Sequence, residues 1–381
     1  METINLITII AAISVFVALF LAVFLYTVKT KNRVSNQLFA LFLVLKAIDI
    51  SGFFEGFILQ SPSDLSMIRN LFVFLQLPVF YMYILSVCYS DFKQKRKYVV
   101  HLIPFLIANV VLIPRYYLVD TESKIKLLTN HKNIAEFRFN HIFLHLQVAF
   151  YLILVFVVLR RAKKIYQENY TSANVKSYDW LFQLSTAVTV FYTIALVKNV
   201  LKFSQFDFAS EWFRVSLLLF EMLIICWYLF KALNYPDLFR NIDSRLKLVN
   251  DIISEEKKSK KIGIANTDEN LIALKKYMSS EKPFLDPSLS IKDVSESLKT
   301  PVRDVSLLIN HQLDQHFFDF INSYRIEEAM DLLKDPLKKS VTVLEILYEV
   351  GFNSKSSFNT AFKKYTGMTP SAFRKKHISG N

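Results

Sequence analysis

The stretch Val350-Gly351-Phe352-Asn353-Ser354-Lys355-Ser356-Ser357-Phe358 decides how the C-terminal part of the chain folds. Glycine tolerates a positive φ, so Gly351 predicts a sharp turn between two helices. Phe352, Phe358 and Phe362 recur at a spacing that predicts a shared core face. Together these residues indicate a helix-turn-helix, in which two short helices meet at a tight turn.

The helical pattern extends upstream from this motif to about residue 268. Ser290 begins a helix, and Asp293 three residues later is typical of a capping box. Asp335-Pro336 stops a long amphipathic helix, and Gly367 ends the last helix of the motif. Helices are expected at residues 268–280, 291–298, 301–312, 317–333, 341–350, 354–365 and from 370 onward. Residues 268–381 are therefore predicted to form a soluble all-α domain with two helix-turn-helix motifs.

The long apolar runs of residues 1–233 indicate a different kind of domain. Hydrophobic residues make up 52% of the chain and Phe alone numbers 35, a load that few soluble proteins carry. An α-helix needs about 20 apolar residues to cross a bilayer. Seven runs reach that length, at about 4–28, 35–59, 67–89, 98–118, 139–159, 180–202 and 212–233. The first run is too long and uninterrupted for a signal peptide.

Basic residues in the loops predict how this seven-helix bundle lies in a membrane. Lys and Arg are concentrated after the first, third and fifth runs, whereas residues 60–66 and 203–211 contain neither. Basic loops stay in the cytoplasm, so the N-terminus is expected outside and the C-terminal domain inside. Residues 1–233 carry 23 basic and 13 acidic side chains, most of the net charge of +13. Topology explains that excess, which is therefore no evidence for DNA binding.

Ionisable side chains inside the apolar runs mark a candidate polar site. Such residues are costly in a bilayer and usually face the bundle interior. Lys46 and Asp49 stand three residues apart and could pair, while Lys198 and Glu221 could neutralise each other between helices. The set is Lys46, Asp49, Glu55, Lys198 and Glu221. Three interpretations stay open: ion pairs that fix helix register, a polar pocket for a small ligand, and a proton or ion path.

Residues 234–267 join the two halves and carry a short apolar seam. Its members recur at spacings of three and four, as in a coiled coil of about two heptads. They are Phe239, Ile242, Leu246, Val249 and Ile253. The seam could pair two protomers, or form an amphipathic helix on its own domain or on the bilayer. Gly52 and Gly56 form a G-x-x-x-G that allows close packing within the bundle or between protomers.

Over residues 268–377 the chain resembles the AraC family of transcription regulators. The matching residues are Ile346, Gly351-Phe352, Ser354, Ser357-Phe358, Ala361-Phe362-Lys363-Lys364, Gly367, Thr369-Pro370 and Phe373-Arg374. In the first motif Asp314 stands where the family commonly has Gly. The resemblance implies that each subunit places two recognition helices in successive major grooves of double-stranded DNA. Together with the seven apolar runs, it predicts an all-α fold in which a seven-helix transmembrane bundle is followed by an AraC-type domain with two helix-turn-helix motifs.

The polar faces of the two predicted recognition helices supply candidate DNA contacts. Arg and Asn side chains can bond to guanine and adenine edges, whereas Lys more often holds phosphate. The first helix offers Arg303, Ser306 and Asn310, and the second offers Lys355, Ser356, Asn359 and Thr360. Lys363 and Lys364 are expected to contact phosphate. The alternative for each residue is an ordinary solvated helix face.

These features predict a membrane-tethered, sequence-specific DNA-binding regulator in the bacterial cytoplasmic membrane. Its expected partners are double-stranded DNA and membrane lipid, and a small-molecule ligand and a second protomer are further candidates. No catalytic triad, phosphate-binding loop or Cys/His cluster predicts an enzyme, a cofactor or a metal site. Two alternatives stay open: a receptor, enzyme or transporter whose helix-turn-helix tail is regulatory, and a partner-binding protein that no longer reads DNA.

Overall fold

The computed structural model describes residues 6–28, 33–57, 63–89, 92, 96–169, 175–202, 207–234 and 267–378. Within these ranges the chain forms helices and turns and no β-strand. The predicted all-α fold class is therefore confirmed. The chain divides into two compact units, residues 1–160 with 179–241 and residues 161–178 with 242–381. The seam at 239–253 and most of the expected linker at 234–267 lie outside the described residues.

Nine α-helices lie between residues 6 and 234, which include the first unit and residues 161–178 of the second. Short 3-10 or π turns prolong two of these helices. They are α1 Leu6–Thr27, α2 Arg33–Ile50, α3 Asp64–Leu71, α4 Val73–Cys88, α5 Ile103–Leu112, α6 Thr121–Thr129, α7 Ala135–Asn169, α8 Val175–Lys202 and α9 Asp207–Asn234. The division between the units falls within α7, after Arg160.

Six stretches among the described residues are long and apolar enough to cross a membrane. They are Leu6–Thr27, Arg33–Phe54, Asp64–Cys88, Arg96–Tyr117, Ala135–Asn169 and Asp179–Leu201. These stretches coincide with the first six predicted runs. The seventh run, 212–233, lies within α9, some of whose side chains are outside the described set. A count of seven crossings therefore stays a prediction.

Small side chains bring the first two helices together. The buried face of α1 includes Ala11, Ala18 and Ala22, and α2 packs along this helix. The opposite face of α1 exposes Phe16 and Phe20. Exposed rings of this kind would be unfavourable in water but suit a helix that faces lipid tails. The outward face of α1 is therefore the kind of surface that a bilayer covers.

The connection between the fourth and fifth predicted runs contains a helix that its mixed charge did not reveal. Residues 121–129 form α6, which begins after Asp120. Lys124 on this helix is nearly buried, and its Nζ lies 2.7 Å from Oδ1 of Asp64 at the start of α3. This ion pair ties the connection to the bundle, which a charge count along the sequence could not show.

Seven further helices form the C-terminal part of the second unit, close to the predicted positions. They are α10 Thr267–Glu281, α11 Ile291–Ser297, α12 Val302–Leu307, α13 Phe317–Lys334, α14 Val343–Glu349, α15 Lys355–Thr366 and α16 Pro370–Ile378. The expected helix through residue 312 is α-helical only to Leu307 and continues as a π turn over Leu308–Gln312. The predicted capping box at Ser290 and Asp293 is confirmed, with 2.7 Å between the Ser290 nitrogen and Asp293 Oδ2.

Helix α13 contributes to two separate hydrophobic cores. Its first half places Phe317 and Ile321 among the buried residues of α10 to α12. Its second half places Ala329 and Leu333 among those of α14 to α16, beside Phe358. The two helix-turn-helix motifs therefore share one helix as a common wall.

Among the described residues, four with positive φ shape the turns of the two motifs: Lys299, Asp314, Gly351 and Gly367. Gly351 has φ +86° and Gly367 has φ +74°, which confirms both predicted glycine turns. Asp314, where the AraC family commonly has Gly, has φ +50°. Aspartate enters this left-handed region more readily than most residues. The departure from the family pattern at Asp314 therefore keeps the backbone conformation that glycine would provide.

Candidate nucleic-acid interface

Helix α15 presents one apolar face and one polar face. Ser354 caps its N-terminus, because its Oγ accepts a hydrogen bond from the Ser357 nitrogen at 3.3 Å. Phe358 and Phe362 are fully buried. The exposed face carries the predicted residues Lys355, Ser356, Asn359, Thr360 and Lys363. These five side chains lie together on the solvent side of the helix, as contact with a groove requires.

Lys364, at the end of the same helix, is engaged within the domain. Its Nζ lies 2.6 Å from Oδ1 of Asp319, and the Tyr365 hydroxyl donates to the Asp319 carbonyl oxygen at 2.7 Å. Burial, with the nearby carboxylates of Asp319 and Glu327, raises the pKa of Tyr365 to about 12. The hydroxyl therefore stays protonated near neutral pH and keeps this bond. Lys364 joins α15 to α13 through this ion pair, and Lys363, which is also exposed, stays the candidate for phosphate on the polar face.

The three predicted contacts on the first recognition helix do not share one exposed face. Arg303 is exposed, whereas Asn310 is half-buried. Ser306 is only 2% exposed, so its expected exposure is wrong. Packing is the reason: Asn310 Nδ2 lies 3.0 Å from the Ser306 carbonyl oxygen and 3.5 Å from that of Glu168. Glu168 belongs to the end of α7, which is part of the same compact unit.

Two arginines hold the C-terminal domain together. Arg325 is buried, and its Nε and Nη2 donate to the carbonyl oxygens of Phe284 and Asp286 at 2.6 and 2.7 Å. Burial lowers the pKa of Arg325 to about 10, so the group still carries its charge near neutral pH. Arg374 Nη1 donates to the Val341 carbonyl oxygen at 2.7 Å. Both side chains anchor connecting segments to helices.

The length of α13 suits two neighbouring grooves. Its 18 residues extend for about 27 Å, because each helical residue advances the axis by about 1.5 Å. Successive major grooves on one face of DNA lie about 34 Å apart. The helix and the turns at its two ends can cover that distance.

Similarity to known proteins covers the same C-terminal helices. Residues 294–376 match the helix-turn-helix domain family. The C-terminal residues form an AraC-type helix-turn-helix domain. The matched range includes α12 and α15, both predicted recognition helices. It excludes the apolar N-terminal helices, so the family match describes the C-terminal domain alone.

Several transcriptional regulators are similar to this domain. The transcriptional regulatory protein YesN of Bacillus subtilis is 34% identical over 93 residues, which cover 24% of this chain and 25% of that protein. The melibiose operon regulatory protein of Escherichia coli is 32% identical over 103 residues, covering 26% and 33%. An HTH-type transcriptional regulator in the cgkA 5' region of Pseudoalteromonas carrageenovora is 51% identical over 55 residues, covering 14% and 30%.

Each aligned region covers only part of this chain and only part of the relative. The chain covers between 25% and 33% of these three relatives. No solved structure matches the chain. The similarity therefore supports a DNA-binding regulator of the AraC type, and the activity of the whole protein is a separate question.

The ionisable residues within the apolar helices meet in pairings that the sequence did not predict. Lys46 Nζ lies 2.8 Å from Glu221 Oε1, and both side chains are less than a tenth exposed. Lys46 therefore pairs with Glu221 on a distant helix and not with Asp49, and the neutralisation of Glu221 that was considered for Lys198 comes from Lys46. The reason is that α9 brings Glu221 to Lys46, whereas Asp49 accepts a hydrogen bond from Gln76 Nε2 at 3.3 Å.

The other members of that set have different positions. Lys198 lines the same cavity as Asp49 and Glu221. The side chain of Glu55 is outside the described residues. Gly52 is close to another charged group, because a Cβ placed there would lie 2.7 Å from Nη1 of Arg69. This contact supports packing within the bundle for the first glycine of the G-x-x-x-G.

Sequence reasoning missed Gln76, which connects the polar cluster. Its Oε1 accepts from the Tyr192 hydroxyl at 2.7 Å and lies 3.5 Å from Lys46 Nζ. An uncharged amide in an apolar run was the available signal, because such groups need buried partners. Tyr192 carried no comparable signal among the 18 tyrosines of the chain.

Proposed function

We propose that the protein is a membrane-tethered transcription regulator that couples a signal sensed in its helical bundle to binding at a promoter. The exposed polar face of α15, opposite a fully buried aromatic core, is the observation that carries the DNA-binding half of this proposal. The six apolar stretches support membrane insertion. The basic loops favour a cytoplasmic position for the C-terminal domain.

A gel-shift experiment with the full-length protein in nanodiscs tests the DNA-binding half. Fragments from its own upstream region and scrambled fragments of equal length are compared over a range of salt concentrations. Preferential binding of an upstream fragment is expected, with affinity that falls steeply as salt rises. Equal binding of all fragments, or none at low salt by a folded protein, would count against the proposal.

The membrane half has its own test. A cytoplasm-dependent reporter fused after residue 381 is expected to be active, and a periplasm-dependent reporter at the same place inactive. The same two reporters fused in the loop after Cys88 should give the same pattern, because that loop is predicted to be cytoplasmic. Activity of only the periplasm-dependent C-terminal fusion would contradict the proposed orientation.

Replacing Asn359 with alanine is expected to weaken binding to the specific fragment about 10-fold to 100-fold. A bidentate contact between an amide and a base contributes about 1–3 kcal/mol of discrimination. Binding to the scrambled fragment should change little, because phosphate contacts supply that affinity. Titration of both fragments by fluorescence anisotropy measures the two effects. Equal losses on both fragments would show that Asn359 does not read bases.

Replacing Lys363 with glutamine is expected to weaken binding to specific and scrambled fragments alike. The slope of log affinity against log salt should fall by about 1, because one phosphate contact is removed. Lys276→Gln on α10 is the matched control, since Lys276 is also an exposed helical lysine. The control should keep the wild-type slope. Equal slopes for Lys363→Gln and Lys276→Gln would exclude the phosphate contact.

A further inference from the structure

An open cavity of about 430 Å³ lies near one end of the helices of the bundle. Its wall includes the last residues of α2, the regions of α3 and α4 around residues 69–76, and residues 144–148 in the first half of α7. The end of α8 and the first half of α9 complete it. A volume of this size is within the range that binds small organic molecules. By the predicted orientation, this end of the bundle lies on the outer side of the membrane.

A connected polar network forms one side of the cavity. Gln76 holds it together through Tyr192 and Asp49, with oxygen and nitrogen distances of 2.7 and 3.3 Å. Lys46 stands behind this network, paired with Glu221. The Lys46 Nζ also lies 4.0 Å from the centre of the Phe191 ring. These contacts fix the orientation of the polar groups that a bound molecule would meet.

Three cationic side chains line the same cavity. They are Arg69 and Lys198, which are half-buried, and Arg214, which is exposed. The guanidinium carbon of Arg214 lies 4.5 Å from the centre of the Phe53 ring, so an aromatic face supports this side chain. Arg69 is held close to the backbone at Gly52, where a Cβ would lie 2.7 Å from its Nη1.

Among the described residues, the lining of this cavity combines three cationic side chains with the carboxylate of Asp49 and with that of Glu221, which is paired with Lys46. Apolar residues complete the lining and include Phe53, Val73 and Leu144. The cationic and apolar parts together suit a molecule with an acidic group and a hydrocarbon body.

We infer that this cavity binds a small organic acid whose carboxylate lies against Arg69, Lys198 and Arg214. The inference deepens the proposed sensing function and depends on it for its biological meaning. The polar network around Gln76 forms the far side of the site, and the apolar wall receives the body of the ligand. Occupancy would bring α3, α8 and α9 into contact with one molecule.

Thermal unfolding of the full-length protein in an uncharged detergent tests the inference, because no lipid anion is then present. The probes are hexanoate, adipate, which has a second carboxylate, and the neutral hexanamide. Both acids are expected to raise Tm in a concentration-dependent way, because a ligand that binds only the folded state stabilises it. Hexanamide at equal concentration should leave Tm unchanged. A Tm shift with hexanamide equal to that with hexanoate would overturn the inference.

Single substitutions locate the site. Lys198→Gln and Arg214→Gln are each expected to weaken hexanoate binding about tenfold or more, because each removes a charge-assisted hydrogen bond. Lys198→Arg should restore most of the binding. Arg115→Gln is the matched control, since Arg115 lies outside the cavity in an exposed pair with Glu136. Equal affinity in the control and in both cavity variants would overturn the assignment.

The outcome is distinguishable from failure of the proposed function. Acid binding is measured without DNA, and the gel shift is performed without acid. A protein that shifts an upstream fragment but gains no Tm from either acid would retain the proposed function and lose this inference. Acid binding by a protein that selects no fragment would leave the cavity assignment intact and remove its regulatory role.

Discussion

Replacing Gly351 with alanine is expected to unfold the second half of the DNA-binding domain. Gly351 has φ +86°, a conformation that costs about 1 kcal/mol for a residue with a side chain. The added Cβ would also lie 2.6 Å from the Leu285 carbonyl oxygen and 2.7 Å from that of Phe284. These are backbone atoms, and Arg325 holds the second of them through a hydrogen bond. The strain cannot be relieved by rotating a side chain.

The expected loss is about 3–5 kcal/mol, a large share of the stability of a small domain. Thermal unfolding followed by circular dichroism measures it, and the gel shift measures the accompanying loss of DNA binding. Gly367→Ala is the matched control. Gly367 has φ +74°, but a Cβ added there would meet nothing within 4 Å, so only the conformational cost of about 1 kcal/mol remains. Similar, small losses in both variants would contradict the close approach at Gly351.

Replacing Lys46 with methionine is expected to destabilise the N-terminal helical bundle by about 3–5 kcal/mol. The substitution leaves Glu221 buried without its 2.8 Å partner, and an uncompensated buried charge is strongly unfavourable. The double variant Lys46→Met with Glu221→Met should recover much of the stability, because it removes both charges. Thermal unfolding of the detergent-solubilised protein compares the variants.

An exposed ion pair provides the control for this prediction. Lys126 Nζ lies 2.8 Å from Glu122 Oε1, and the two side chains are 75% and 74% exposed. Lys126→Met should change stability by less than about 0.5 kcal/mol, because solvent screens such pairs. A Lys46→Met protein as stable as the wild type would show that the pair does not contribute as its burial suggests.

Local signals made the C-terminal fold predictable. The capping box at Ser290 and the glycine turns at Gly351 and Gly367 act within a few residues, so a single sequence reveals them. The same locality made the exposed face of α15 predictable, since its apolar and polar residues alternate with the 3.6-residue period of a helix. Helix α6 was missed because its contact with Asp64 joins residues 60 positions apart.

Long-range packing explains the remaining differences. Lys46 and Glu221 are 175 positions apart, so their pairing depends on how α2 and α9 pack. The burial of Ser306 has the same origin, because its neighbour Asn310 reaches Glu168, 142 positions away. A pattern along the chain identifies which residues are polar, but the assembled helices decide which of them meet.

Because α13 packs in the cores of both helix-turn-helix motifs, it fixes the distance between the two predicted recognition helices. A domain with this fixed distance would tolerate altered bases between its two DNA contact sites more readily than an added or deleted base pair. One extra base pair would displace the second contact site by about 3.4 Å and turn it about 34° around the DNA axis. Operators of this protein would therefore be recognised by the spacing of their two half-sites as much as by their base sequence.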